Sequence, residues 1–176
     1  MVNDAKGQKM SKSKGNVINP LTLTEKFGAD ALRIGLVAGN TPGTSLSLSE
    51  DKIRGYKNFA NKLWNIARFI IENTGGETDS LLSFPQRRES SKVDLDSHFH
   101  VNDEVLAGEL NLLLADITKA MEAYRFYMAA EKLYHYTWHT LADKILEESK
   151  AILEKGSSEE IKSRRQLLVH MLDKIL

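Results

Sequence analysis

Apolar residues recur at steps of three and four along almost the whole chain, and only three prolines, Pro20, Pro42 and Pro85, interrupt its 176 residues. That period matches the turn of an amphipathic α-helix, so the chain is constrained to a mainly α fold in which each helix hides one face. Local signals mark where the helices start and stop. Asn19-Pro20 supplies a cap and a first-turn proline, and Gly28 closes the short helix behind Phe27. A second short helix is expected from Ala29 to Ala38, then a turn-rich connection from Asn40 to Ser47 around Pro42-Gly43 that can hold a short extended piece. Ser49 caps a long helix reaching Asn73, with Glu50 and Asp51 in the first turn, where the helix dipole favours negative charge, and Gly75-Gly76 ends it. Thr74 to Ser97 has no period and reads as a surface connection. Further helices are expected from Val101 to Tyr124 and from Met128 to Glu154, and Ser157 with Glu160 forms a capping box for a last one. The apolar stripe of that last helix, Leu168, Met171, Leu172, Ile175 and Leu176, runs to the final residue without a closing signal. It reads as a cut through a longer protein whose open patch would drive self-association.

The chemistry available is narrowed by what is absent. Without cysteine there is no disulfide framework, thiolate nucleophile or thiolate-held metal. No apolar run reaches the ~20 residues of a membrane span, and Met1-Val2-Asn3-Asp4-Ala5-Lys6 has no secretory signal, so a cytoplasmic protein is expected. The 24 basic and 24 acidic residues cancel overall but not locally. Lys6, Lys9, Lys12 and Lys14 face only Asp4 in the first fifteen residues, while Lys52, Arg54, Lys57, Lys62 and Arg68 fall in a stretch without any acid. Such clusters suit phosphates, although a lysine-rich helix face can also be merely solvated. No metal site is expected. His135 and His139 lack the acid a zinc helix needs, and His98 and His100 lack a third ligand. Trp64, Trp138 and the Tyr124-Phe126-Tyr127 cluster read as core.

Two constellations carry chemistry. The first is Lys9-Met10-Ser11-Lys12-Ser13, followed by Lys14-Gly15-Asn16. Two lysines three apart, among small hydroxyl residues and before a glycine, describe a loop that can bring two ammonium groups to one polyphosphate. When pyrophosphate leaves an attacked α-phosphate, negative charge grows on the departing group, and cations placed there favour the transition state. Lys9 and Lys12 are therefore the candidate catalytic cations, and Lys9, Ser11, Lys12 and Ser13 the candidate ATP-binding set. The second lies on the helix after Ser49. Asn58, Asn61, Asn65 and Arg68 follow at steps of three, four and three, so they share a polar side, with Phe69 at its edge. Asparagine is a mediocre helix former, so three on one stripe point to a ligand: its amide reads base edges, while arginine bonds phosphate or stacks. Solvated asparagines beside a core Phe69 remain the plainer alternative.

The pentapeptide is the KMSKS motif of the class I aminoacyl-tRNA synthetases. Gly15-Asn16-Val17-Ile18-Asn19-Pro20 and Phe27-Gly28-Ala29-Asp30-Ala31-Leu32-Arg33 also resemble that family. Asn40-Thr41-Pro42-Gly43, the run Gly55-Tyr56-Lys57-Asn58-Phe59-Ala60-Asn61-Lys62-Leu63-Trp64-Asn65-Ile66-Ala67-Arg68-Phe69, and Leu133-Tyr134-His135-Tyr136-Thr137-Trp138-His139 resemble its valyl branch. Asp143-Lys144-Ile145 departs from that branch, which usually carries an aromatic after the acid. The resemblance implies a KMSKS loop and stem-contact connector in residues 1–48, then a C-terminally truncated helical anticodon-binding bundle in 49–176. It implies a parent that ligates valine to tRNA(Val) with Mg-bound ATP, acting as a monomer, with Lys9 and Lys12 on the phosphates. It also implies a fragment that is inactive alone and holds no tightly bound cofactor. Asn65, Arg68 and Phe69 match positions where the anticodon loop docks. A fragment of an isoleucyl or leucyl enzyme, or a non-catalytic RNA-binding helical module, are the rival readings.

Overall fold

In a computed structural model of the chain, residues 2–41, 43–74 and 101–176 are described. Gly75-Gly76, Pro42, His98, His100 and all but the first residue of the expected 74–97 connection lie outside them. The expected caps are in place. The Asn19 side chain accepts from Leu21 N at 3.0 Å and opens α1 (Pro20–Phe27). After Gly28 comes α2 (Ala29–Val37). Ser49 Oγ accepts from Lys52 N at 3.2 Å at the head of α3 (Glu50–Asn73). Beyond residue 100 follow α4 (Val101–Glu122), α5 (Phe126–His135), a π-helical stretch (Tyr136–Ile145), α6 (Leu146–Lys155) and α7 (Ser158–Ile175). The capping box of α7 closes both ways, with Glu160 N donating to Ser157 Oγ at 3.3 Å and Ser157 N to Glu160 Oε2 at 2.8 Å. The fold is mainly α, as its period demands.

By contact the chain divides into two compact units, one of residues 1–64 with 115–138, the other of 65–114 with 139–176. The first holds the two short strands β1 (Val2–Asn3) and β2 (Leu46–Ser47), paired in parallel with Val2 opposite Leu46. Parallel partners need a long crossover, and α1 and α2 supply it. Leu23, Phe27, Ala31, Leu32, Leu48 and Ile53 form the core beneath, with Met10, Ile18 and Tyr56 packed against it. Gly35 is what lets α2 lie close to α3, because a Cβ there would collide with Ile53 Cδ1. Further along α3, Phe59 meets Tyr134 at 4.5 Å between ring centroids, and Trp138 stacks on both.

The second unit buries Ile66 and Ile70 of α3, Ala107 and Leu110 of α4, Leu141 and Ile145 of the π stretch, and Leu167, Leu168, Met171, Leu172 and Ile175 of α7. Its polar centre is an ion pair. Arg164 Nη2 lies 2.7 Å from Asp103 Oδ1, and both side chains are only 4% exposed. Ser163 Oγ donates to the other Asp103 oxygen at 2.7 Å, and Arg164 Nη1 donates to Ser149 Oγ at 3.2 Å. A buried pair is tolerated when its remaining lone pairs and protons find partners, and these serines provide two, while Arg164 Nε has none among the described residues.

Four expectations are corrected. The helix from Val101 stops at Glu122 because Tyr124 is left-handed (φ 57°), in a Schellman turn closed by Arg125 N to Ala120 O at 2.8 Å and Tyr124 N to Met121 O at 3.0 Å. The run expected as one regular helix from Met128 contains the π stretch, which periodicity alone does not reveal. The terminal stripe is not an open patch, since Leu168, Met171, Leu172 and Ile175 are buried and only Leu176 is exposed. Trp64 (72% exposed), Tyr124 and Phe126 are surface residues, not core.

Candidate functional site

Residues 4–16 look structureless in sequence but are organised around one carboxylate. Asp4 Oδ1 accepts from Lys6 N at 2.9 Å and Gln8 N at 2.8 Å, and Asp4 Oδ2 accepts from Asn16 Nδ2 at 2.9 Å. Asn16 works from the far end of the loop, taking Ser11 N on its Oδ1 at 2.9 Å and donating to Lys9 O at 3.3 Å. The Asn16 hydrogen bond above all, with those from Gln8 and Lys6, holds the Asp4 carboxyl below its ordinary value, because each stabilises the charged form. Lys12–Lys14 forms one turn of 3₁₀-helix, stopped by left-handed Gly15. The clasp gathers backbone and leaves the side chains out. Lys9, Lys12, Ser13 and Lys14 are exposed, Ser11 is half-buried, and Ser11 Oγ lies 3.2 Å from Ser13 Oγ. Among the described residues none of these lysines has an ion-pair partner, so their charge is open to a polyphosphate.

On α3 the asparagines prove to be surface residues. In the first unit Asn58 and Asn61 are exposed. In the second, Asn65 and Arg68 are exposed and Phe69 is half-buried. The three asparagines make no side-chain hydrogen bond among the described residues. The basic stretch is tempered by local pairing, however. Arg54 Nη1 lies 2.7 Å from Asp51, Arg68 Nε lies 3.7 Å from Glu72, and Lys62 Nζ sits 4.9 Å over the Trp138 ring. Exposed i,i+3 and i,i+4 pairs contribute only ~0.3–0.5 kcal/mol, so an anion can displace them.

The first 49 residues match the family model described as tRNA synthetases class I (I, L, M and V), and residues 103–176 match that of the anticodon-binding domain of tRNA ligase. Valine–tRNA ligases match along the whole of this chain. That of Pelagibacter ubique is 42% identical over 177 residues, that of Geobacter sulfurreducens 38% over 177, and that of Latilactobacillus sakei 36% over 176, each alignment covering 100% of this chain. The chain belongs to the class I tRNA synthetases, in their valine–tRNA ligase branch. It spans about a fifth of these ligases, 19% of each. The fold is shared with the Agrobacterium radiobacter K84 LeuRS of a LeuRS–tRNA–LeuAMS ternary complex, at a TM-score of 0.60 and 23% identity over 99% of this chain and 20% of that one.

Within this synthetase segment, sequence reasoning missed two features. Asp4 and Asn16 are ordinary loop residues by type, and only the fold shows that they clasp the KMSKS segment. A cleft of about 540 Å3 also opens beside Tyr56 and Tyr134, with Lys52, Glu131 and His135 on its walls. Burial lowers the affinity of Lys52 for its proton, and burial, then Tyr134 and Glu131, raises the Tyr56 phenol above its ordinary value. Nothing in the spacing of these residues signals the cleft. Among the described residues no group of three His, Asp or Glu is placed to hold a metal, and His139 Nδ1 lies 3.7 Å from Asp143.

Proposed function

We propose that this chain is the part of a valine–tRNA ligase that carries the ATP-facing loop, in residues 1–48, and the anticodon-binding bundle, in residues 49–176. The observation that carries the reading is the 38–42% identity to valine–tRNA ligases along the whole of this chain, combined with the pentapeptide Lys9-Met10-Ser11-Lys12-Ser13. In the complete enzyme the valine carboxylate attacks the α-phosphorus of Mg-bound ATP, the bond to pyrophosphate breaks, and valyl-adenylate forms before transfer to tRNA. Lys9 and Lys12 neutralise the charge that grows on the departing pyrophosphate, and the hydroxyls of Ser11 and Ser13 donate to its oxygens. The exposure of both ammonium groups, with the backbone held by Asp4 and Asn16, supports that role. Asn58, Asn61, Asn65, Arg68 and Phe69 of α3 receive the anticodon loop, the amides on base edges and Arg68 on phosphate or a base face.

In the complete enzyme, Lys9→Ala and Lys12→Ala are each expected to lower valine-dependent ATP–pyrophosphate exchange by a factor of about 10² to 10³. The chain of 176 residues alone is expected to bind tRNA(Val) more tightly than a tRNA with an exchanged anticodon, and to support no exchange. Full exchange activity in both lysine variants would overturn the loop assignment, and equal affinity for the two tRNAs would overturn the anticodon assignment.

A further inference from the structure

The two tryptophans of the chain are in opposite situations. Trp138 is well engaged, with Phe59 stacked at 6.2 Å and 21°, Tyr134 at 5.8 Å and 20°, and Lys62 Nζ 4.9 Å from its centroid. The other exposed aromatics of the first unit engage each other, Tyr124 meeting Phe126 edge-to-face at 6.0 Å. Trp64 has no such companion among the described residues and stands 72% exposed on α3. An indole in water forfeits the largest apolar surface any side chain can bury, so a ring kept there calls for an occupant. The turn before it bears Asn61, three residues earlier and therefore a neighbour on the helix surface, also exposed and without a side-chain hydrogen bond among the described residues. Lys57 lies two turns up the same side, half-buried and with its Nζ donating to Lys26 O at 3.4 Å. A flat π-face, an amide with two donors and an acceptor, and a cation on one helix side are the parts from which single-stranded RNA sites are built.

We propose that Trp64 is a stacking platform for one unpaired RNA base, whose edge hydrogen-bonds to the Asn61 amide. This rests on the RNA-binding reading above and adds to it a residue outside the asparagine–arginine stripe. A polypeptide would also cover an exposed indole, but it gives no reason for an open asparagine amide and a lysine on the same side. Single-stranded RNA uses all three, a base on the indole and the amide and a neighbouring phosphate on the lysine.

The test titrates the chain and its Trp64→Ala and Trp64→Phe variants with an anticodon stem-loop RNA, and with the same RNA closed into a full duplex. Stacking should quench the indole emission of the wild-type chain on RNA binding, and that quench should vanish in Trp64→Phe. Trp64→Ala should weaken the stem-loop complex about 5- to 150-fold, the range given by losing one stacked base. Trp64→Phe should recover most of the affinity, duplex binding should not change, and melting temperatures should stay level. Stem-loop affinity unaltered in Trp64→Ala, with the wild type binding, would overturn the platform alone and assign Trp64 to a protein contact. Weakening that comes with a lowered melting temperature and is not recovered by Trp64→Phe would overturn it as a structural effect. A wild-type chain that binds no RNA would overturn both this proposal and the reading beneath it.

Discussion

Asn16 Nδ2 donates to Asp4 Oδ2 across 2.9 Å, joining the two ends of the segment that carries Lys9 and Lys12. The bond lets a loop with four exposed lysines keep a defined backbone without spending any of their charge. Asp4→Ala and Asn16→Ala should each speed hydrogen exchange at Lys6, Gln8 and Ser11, the amides that these two side chains accept, while leaving the melting temperature nearly level. The Asp4 carboxyl is lowered in the fold, so the clasp is fully present above the ordinary carboxylate value of 3.8 and is lost as pH falls through the still lower folded value. Amide shifts of Lys6 and Gln8 followed by NMR on acidification should report that loss. Shifts that stay constant in Asp4→Ala relative to wild type would show the loop to be held elsewhere.

Two helical glycines separate packing from propensity. Gly35→Ala should destabilise the chain by about 1–3 kcal/mol, because its methyl meets Ile53, which is 0% exposed and cannot swing aside. Gly55→Ala has nothing within 4 Å of the new methyl and should stabilise by about 0.5–1 kcal/mol, the helix-propensity difference. Denaturant unfolding of the two variants decides it, and the same sign for both would contradict the contact at Ile53.

The Asp103–Arg164 pair should be the most sensitive polar point of the second unit. Removing one partner leaves an uncompensated buried charge, so Asp103→Ala is expected to cost about 3–5 kcal/mol. Replacing both residues by apolar ones of similar volume should cost much less. Chemical denaturation of the single and double variants would expose the opposite ranking if the pair were solvated.

Arg68→Ala should weaken binding of an anticodon stem-loop while changing stability by less than about 0.5 kcal/mol, since its ion pair with Glu72 is exposed and spans 3.7 Å. The dependence of binding on salt should also flatten, because one phosphate contact fewer releases fewer counterions. Undiminished affinity together with a large fall in melting temperature would make Arg68 a structural residue.

His170 on α7 is half-buried, and its Nε2 has no hydrogen-bond partner among the described residues. Burial first, then the Lys174 cation, lowers its affinity for a proton, outweighing the opposing pull of Asp173. The folded state binds the proton less well than the unfolded chain, so stability is fully present above the ordinary value of 6.5 and declines as pH falls below it. Melting temperatures near pH 7.5 should exceed those near pH 5.5, and His170→Phe should shrink the difference. A steeper dependence in that variant would place the titrating group elsewhere.

Much of this molecule is written locally. Asn19 with Leu21, Ser49 with Lys52, and Ser157 with Glu160 act through hydrogen bonds between residues two or three apart, so the starts of α1, α3 and α7 could be read in order along the chain. The lysine–serine loop was legible for the same reason, because its chemistry lies in five consecutive residues. The exposed asparagines followed from helical spacing once α3 was known. What only the tertiary structure decided depends on partners far away in sequence. Strand β1 finds β2 across the whole α1–α2 crossover, Ser163 reaches Asp103 over 60 positions, and Asp4 becomes a hub only when Asn16 returns to it. The tryptophans show the limit best. Residue type gives both the same wish for burial, but Phe59 from α3 shelters Trp138, and no such ring among the described residues covers Trp64. Apolar surface is buried by whatever the fold brings opposite it, and that is a property of the packed chain rather than of any one position in it.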